Sequence, residues 1–457
     1  MSDNKDGLNV CLMNDSFPPV IDGVATTILN YAEIINNGLG KATVVTPEYP
    51  GAKDDFPFPV VRYTSISITE KICSYRMGYP FSASKLDSLT SSGFDIIHTH
   101  CPFASMLMAR VLRIKTGAPM VLTYHTKFDI DIRRALPTKL MQDQAIKMLI
   151  SNISCADEVW TVSEGARQNL LDLGYEENEH HRIRIMENGV DFPRGKADPE
   201  DAAELRSELG LDGHGPVFIF VGRLLWYKGI RTILDSLKIL DEKGIDFRMM
   251  FVGDGADRAE IESYVSELNL GEKVLFTGAI YDREELRVYY TAGDLFIFPS
   301  LYDTNGIVVR EAAACGVASV LIKGSCAAEG ITHYRTGILT ENDPQAIAAE
   351  LEFAASHIDE VRQMGDHAMN EVYMSWQTSV ENAYRRYGEI IEEWRSGNSC
   401  NQETELQQDL FTGISRVTDA VQKFRSIPAV SAIRESNSRS IAKYRARKEE
   451  KKKQETE

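Results

Sequence analysis

Short apolar runs alternate with stretches of helical periodicity along most of this chain. That alternation predicts an α/β fold built on parallel sheets. In the first half the expected strands are LNVCLMN, ATVVTP, DIIHTH, MVLTYH, EVWTVS and IRIMEN. Residues 192–216, FPRGKADPEDAAELRSELGLDGHGP, are polar and rich in Pro, Gly and Asp, and read as a linker. The strand pattern then restarts with VFIFVGRL, FRMMFVGDG, KVLFTGAI, LFIFPS, ASVLI and TGILT. Two doubly wound domains facing a cleft are the economical architecture, the first over residues 1–195 and the second over 205–375. After Ile338 the spacing turns helical. Trp376, Val380, Tyr384, Tyr387, Ile391 and Trp394 mark a helix over about 376–397 whose stripe reads as core and is expected to complete the first domain. Over 398–457 a second stripe, Leu406, Leu410, Ile414, Val417, Val421 and Phe424, precedes a basic tail of disordered composition. That stripe suits the body of the protein, a partner helix or a membrane surface.

At 457 residues the chain exceeds a single core. No apolar run approaches the ~20 residues a spanning helix needs, and MSDNKDGLNV does not read as a secretory leader. Seven scattered cysteines without a CxxC pair point to a reducing cytoplasm rather than to zinc or disulfides. The net charge of −17 argues against general affinity for nucleic acid or for anionic surfaces. Residues 101–150 depart from that balance. There Arg110, Arg113, Lys115, Lys127, Arg133, Arg134, Lys139 and Lys147 outnumber Asp129, Asp131 and Asp143, and apolar residues such as Phe128, Ile132 and Leu140 lie among them.

Ligands in such sheets bind beyond the carboxyl ends of the strands, so chemistry is sought there. Gly222, Arg223 and Lys228 follow one strand, and two cations beside a permissive glycine suit a diphosphate. Alone, the motif is equally consistent with a surface loop. Gly253 and Gly255 form a tight turn after the next strand, a weak signal in any α/β protein. In SLYDTNGIVVREAAACG, Gly306 opens a helix whose free N–H groups favour an anion. Glu311, further along that helix, is placed to accept from ribose hydroxyls, and Asp303 from a group beyond the phosphates. The bland alternative makes Asp303 a helix cap and Glu311 solvated. In the first half Gly23 directly precedes a helix, without any GxGxxG fingerprint. His98, His100 and His125 end adjacent strands; a lone histidine is more often structural, and His125 is the one expected in the cleft.

Together the Gly23 loop, the HT pair at His125, GRLLWYKG, FVGDG and the acidic pair resemble a family 4 glycosyltransferase of GT-B architecture, over roughly residues 8–395. The resemblance implies retaining transfer of a sugar from UDP-glucose or another nucleotide-sugar, with no cofactor and no obligatory metal. It implies that Arg223 and Lys228 hold the diphosphate, Glu311 the ribose, and Asp303 with Thr304, Asn305, Gly306 and Ile307 the donor sugar. Gly23, Gly222 and Gly253 would complete the donor site, and His125 would join Arg223, Lys228 and Asp303 at the reacting centre. DGVATTI, HTHCPF, TYHTKFD and DTNGIVVREA look most like bacterial diacylglycerol glucosyltransferases. This implies a peripheral enzyme on the inner face of the cell membrane, with diacylglycerol and anionic lipid as partners. His100, Lys127, Arg133 and Arg134 would lie on its acceptor or membrane side. Two departures stand out: Asp303 replaces the first Glu of the E-x7-E motif, and CGVASV lacks the proline that often follows it. Rival expectations are another acceptor (a phosphoinositide, a soluble sugar or a glycan), a nucleotide-sugar epimerase, and a catalytically lapsed scaffold. An NAD oxidoreductase ranks last for want of the fingerprint.

Overall fold

The computed structural model describes residues 7–20, 22–67, 76–78, 83–178 and 181–397. The apolar stripe of 406–424 and the basic tail lie outside them. The strands are β1 (Asn9–Met13), β2 (Lys41–Pro47), β3 (Val60–Tyr63), β4 (Ser65–Ser67), β5 (Arg76–Gly78), β6 (Ile96–Thr99), β7 (Met120–Tyr124), β8 (Glu158–Thr161), β9 (Ile183–Ile185), β10 (Val217–Val221), β11 (Arg248–Val252), β12 (Val274–Gly278), β13 (Leu295–Phe298), β14 (Ala318–Ile322) and β15 (Ile338–Thr340). Two all-parallel sheets carry the fold. The first runs β3-β2-β1-β6-β7-β8-β9 and the second β12-β11-β10-β13-β14-β15, while β4 and β5 form a small antiparallel pair. Helices between the strands cover both faces, so strands such as VFIFV and ASVLI are buried along their whole length.

Each sheet reverses its winding once. In the first the switch falls between β1 and β6, and in the second between β10 and β13. The loops that leave these strands cannot fold over one another, so a crevice opens at each switch point. The segments after β1, β7, β10 and β13 supply most of the main cavity's lining, with Asn188 from the segment after β9.

The segment 192–216 is not a plain linker. Pro199–Glu208 is a helix, with Asp198 accepting from the Glu200 N–H as N-cap and Pro199 in the first turn. Asp-Pro followed by EDAAELRSE is a strong helix start, and it outweighs the Pro/Gly content around it. The helix Trp376–Arg395 returns to the first sheet. Trp376, Val380, Ala383, Tyr387 and Ile391 share one core with Val10, Leu12, Ile28 and Trp160. Its entry is tied to the segment joining the sheets, because the Val190 N–H donates to the Met374 carbonyl at 3.0 Å.

One close approach sets the site's floor. Gly253, after β11, has φ 146°, and a Cβ there would lie 1.9 Å from the Gly222 carbonyl oxygen. Only glycine lets the two strand-end loops pass at that distance. Gly253→Ala is expected to cost on the order of 3 kcal/mol, through strain and displacement of the Gly222 loop. Denaturant unfolding checks this, and a wild-type midpoint would contradict it.

Candidate active site

Asp303 leaves β13 in the loop of residues 299–306 and does not cap the helix that follows. That helix, Ile307–Ala314, has Gly306 as its N-cap in the left-handed conformation and no side-chain cap. Asp303 instead accepts from Lys228 Nζ at 2.6 Å, across the switch point, and from the Ser300 hydroxyl. The pair ties the loop after β10 to the loop after β13. Lys228 Nζ also lies 5.8 Å from the Phe298 ring and 5.6 Å from that of Tyr227. At Gly306 a Cβ would lie 2.9 Å from Ala327, so the helix N-terminus is held tight against the chain after β14. With no side-chain cap, this N-terminus turns its first N–H groups to the cavity, an arrangement that suits an anion.

The cavity holds about 600 Å³ between the two sheets' loops. Of the residues expected there from sequence, Gly23, His125, Lys127, Arg134, Gly222, Arg223, Lys228, Asp303, Thr304, Asn305, Gly306 and Ile307 line it. Gly253, Glu311, His100 and Arg133 do not. Gly253 acts from beneath, through Gly222. Arg133 lies 3.8 Å from Asp129 on its own helix. Glu311 is neither solvated nor on the wall. It is 5% exposed and accepts from Arg283 Nη2 at 2.6 Å and from the Tyr290 hydroxyl at 3.0 Å.

The wall from the first sheet is built differently. Asp22 caps the helix Gly23–Ile34, accepting from the Val24 and Ala25 N–H groups at 2.9 and 2.8 Å. A Cβ at Gly23 would meet nothing within 4 Å, so its glycine leaves space in the cavity rather than relieving a clash. His125 directly follows β7 and its carbonyl accepts from the Thr304 hydroxyl at 2.6 Å, a bond that joins the two walls. Its ring belongs to a buried histidine chain. His125 Nε2 lies 2.9 Å from His100 Nδ1, and His98 bonds Thr123 at 2.7 Å and the Tyr387 hydroxyl at 2.5 Å. Burial drives all three pKa values down, His98 and His100 well below the ordinary value and His125 to about 4, with Asp22 opposing the shift at His125. The rings are therefore neutral at neutral pH. His100 Nε2 is buried without a partner. The tautomer that avoids an orphaned N–H there puts the shared proton on His100 Nδ1 and leaves His125 protonated at Nδ1, a hydrogen-bond donor.

Sequence reasoning missed Asn188, Tyr227 and Tyr302 in the lining of the cavity. Tyr227 sits between Arg223 and Lys228 in GRLLWYKG, where an aromatic residue reads as packing; only the neighbouring cations signalled otherwise.

Two family models match adjoining parts of the chain: Glycosyltransferase Family 4 over residues 21–194 and Glycosyl transferases group 1 over residues 201–370. The chain belongs to the family 4 glycosyltransferases. Its GT-B fold is shared with the Anabaena HepE structure in complex with UDP and glucose, at TM-score 0.65 and 18% identity over 83% of this chain and 99% of that one. Sucrose-phosphate synthase from Thermosynechococcus elongatus superposes at TM-score 0.67 and 21% identity, over 84% and 99%. Among curated relatives, the alpha-monoglucosyldiacylglycerol synthase of Streptococcus pneumoniae is 23% identical over 84% of this chain and 85% of its own. The D-inositol 3-phosphate glycosyltransferase of Acidothermus cellulolyticus is 25% identical over 77% of each. Relatives of this transferase therefore bear names with very different acceptors.

The buried histidines carry a pH prediction. A histidine held neutral stabilises the fold fully above its unfolded pKa near 6.5, and that stability is lost as pH falls towards the folded value. For His125 the loss by pH 4 is on the order of 3 kcal/mol. Urea unfolding between pH 7 and pH 4 should show this drop, and His125→Gln should flatten it. An unchanged slope in the variant would contradict the assignment.

Proposed function

We propose that this glycosyltransferase moves a hexose, with retention, from a nucleotide-sugar to the hydroxyl of diacylglycerol at the inner face of the membrane. The observation that carries the donor half is the convergence of Lys228, Arg223, Asp303 and the uncapped helix N-terminus at Gly306 on one cavity. On this reading the diphosphate takes Lys228 from Asp303, which frees that carboxylate to accept from the donor sugar's hydroxyls. Asp303 is one methylene shorter than glutamate, and the pairing with Lys228 shows that it still reaches the cation. Glu311 lies behind the wall, so ribose hydroxyls would donate to it only once the Arg283 side chain that covers it gives way. The acceptor hydroxyl attacks the face from which the nucleotide leaves. The carbon–oxygen bond to the acceptor forms as that to the diphosphate breaks, and the departing phosphate oxygen takes the acceptor's proton. Neutral His125 donates a hydrogen bond near the reacting centre rather than a proton. The chain's own cations stabilise the leaving charge, so no metal is required on this reading.

The acceptor half rests on a surface beside the cavity. On the helix Lys139–Ile153, Leu140 and Met148 are 71% and 74% exposed, with Met141 exposed next to Leu140 and Phe103 exposed on the same half of the molecule. Arg133, Lys139 and Lys147 are exposed among them. Apolar tips set in a basic surface suit the headgroup region of an anionic bilayer, despite the chain's net charge of −17. Among the described residues no helix is long and apolar enough to cross a membrane. The relative named for glucosyldiacylglycerol synthesis supports the same acceptor.

Mass spectrometry of products tests both halves. The protein is given UDP-glucose, UDP-galactose or GDP-mannose, with and without liposomes of diacylglycerol and anionic lipid. A hexosyl-diacylglycerol from one donor is expected. Donor hydrolysis without a lipid product would discard the lipid and leave a transferase for a soluble sugar, glycan or phosphoinositide. No turnover and no donor binding would favour a lapsed scaffold. Lys228→Ala should lower kcat by about 10²- to 10³-fold, as for loss of one oxyanion donor. Leu140→Glu with Met148→Glu should remove liposome binding and lipid product while donor hydrolysis persists.

A further inference from the structure

We propose that Arg134, from the opposite wall of the cleft, is a third cation for the diphosphate of the bound donor. Tyr227 is the positioning residue that holds the cationic cluster together. The inference rests on the nucleotide-sugar reading of the cavity and adds to it a contact from the first domain. The Tyr227 ring has the Arg134 guanidinium 5.8 Å and Lys228 Nζ 5.6 Å from its centroid. Its hydroxyl accepts from Arg223 Nη2 at 3.1 Å. Tyr302 meets it edge-on, with centroids 5.7 Å apart and planes at 86°, which fixes the ring from another side. One aromatic side chain thus gathers three cations, two from the loop after β10 and one from the helix Phe128–Ala135.

Their charges are not balanced. Lys228 has Asp303, but among the described residues neither Arg134 nor Arg223 forms an ion pair with a carboxylate. Asp131 lines the cavity one turn before Arg134 and does not pair with it. Like charges held this close repel, and the electron-rich ring face offsets part of that cost. A group with two negative charges on adjacent phosphates matches the two cations left over, and guanidinium binds phosphate in bidentate fashion. Because Arg134 comes from the other wall, a diphosphate between it and Lys228 draws the walls together and excludes water. Arg133 and the apolar tips stay with the surface assigned to the membrane; Arg134, like Lys127, lines the cavity and does not belong with them.

Calorimetric titration of the full chain with UDP and with UMP tests this, with GDP and GMP run in parallel. Arg134→Ala should weaken diphosphate binding about tenfold or more while changing monophosphate binding far less, the effect of one charge-assisted hydrogen bond. Arg134→Lys should restore part of the loss. Tyr227→Leu should reproduce it, and adding Arg134→Ala to that background should then cost little more. Tyr227→Phe, which keeps the ring, should retain the Arg134 contribution. Ligand-free melting controls for folding. Wild-type binding of UDP by Arg134→Ala, or equal losses for UDP and UMP, would overturn the proposal and leave the donor site standing. A wild-type chain that binds neither UDP nor GDP would overturn the nucleotide-sugar reading as well.

Discussion

The pairing of Lys228 with Asp303 is the contact on which the rest of the site depends. It bridges the two loops that diverge at the switch point of the second sheet, and so sets the width of the crevice between them. Both partners are half-buried, in a place where an isolated charge would be costly. The pair is therefore a latch as well as a brace: an anion that competes for the lysine must also leave the carboxylate something to accept from. A nucleotide-sugar offers both at once, phosphate oxygens for Lys228 and sugar hydroxyls for Asp303. A simple anion offers only the first.

Around that latch the two walls are joined by contacts of ordinary strength rather than by a shared core. The Thr304 hydroxyl donates to the His125 carbonyl, and Lys127 Nζ lies 3.3 Å from Cys326 Sγ. The Glu329 carboxylate accepts from the Glu164 and Gly165 N–H groups at the start of a first-domain helix, at 2.6 and 2.7 Å. Arg310 reaches Glu187 at 2.5 Å near the connecting segment. Each is a polar bond worth about 1 kcal/mol net, or somewhat more where charged. Such a set orients the walls and still lets them part, which an enzyme that must admit a donor and release a nucleotide requires.

Much of the fold was readable from the chain because parallel strands buried on both faces appear as unbroken apolar runs, as VFIFV and ASVLI do. The resemblance in GRLLWYKG and DTNGIVVREA named the family, and strand ends located most of the cavity wall. What escaped were partnerships between distant residues. Nothing in the spacing of Asp303 and Glu311 reveals that one pairs with Lys228 and the other with Arg283 and Tyr290. The helix Pro199–Glu208 was hidden by the composition around it, although Asp198-Pro199 announces its start. Tyr227 reads as packing until its three cationic neighbours, one of them from another domain, are seen around it.

Donor binding on this reading replaces the Lys228–Asp303 contact. A crystal structure of the protein with a nucleotide-sugar bound measures this directly. Phosphate oxygens are expected at hydrogen-bonding distance from Lys228 Nζ and the N–H groups after Gly306, with Asp303 turned to the sugar hydroxyls. A nucleotide-sugar bound outside the cavity, or inside it with the Lys228–Asp303 pair intact, would contradict it.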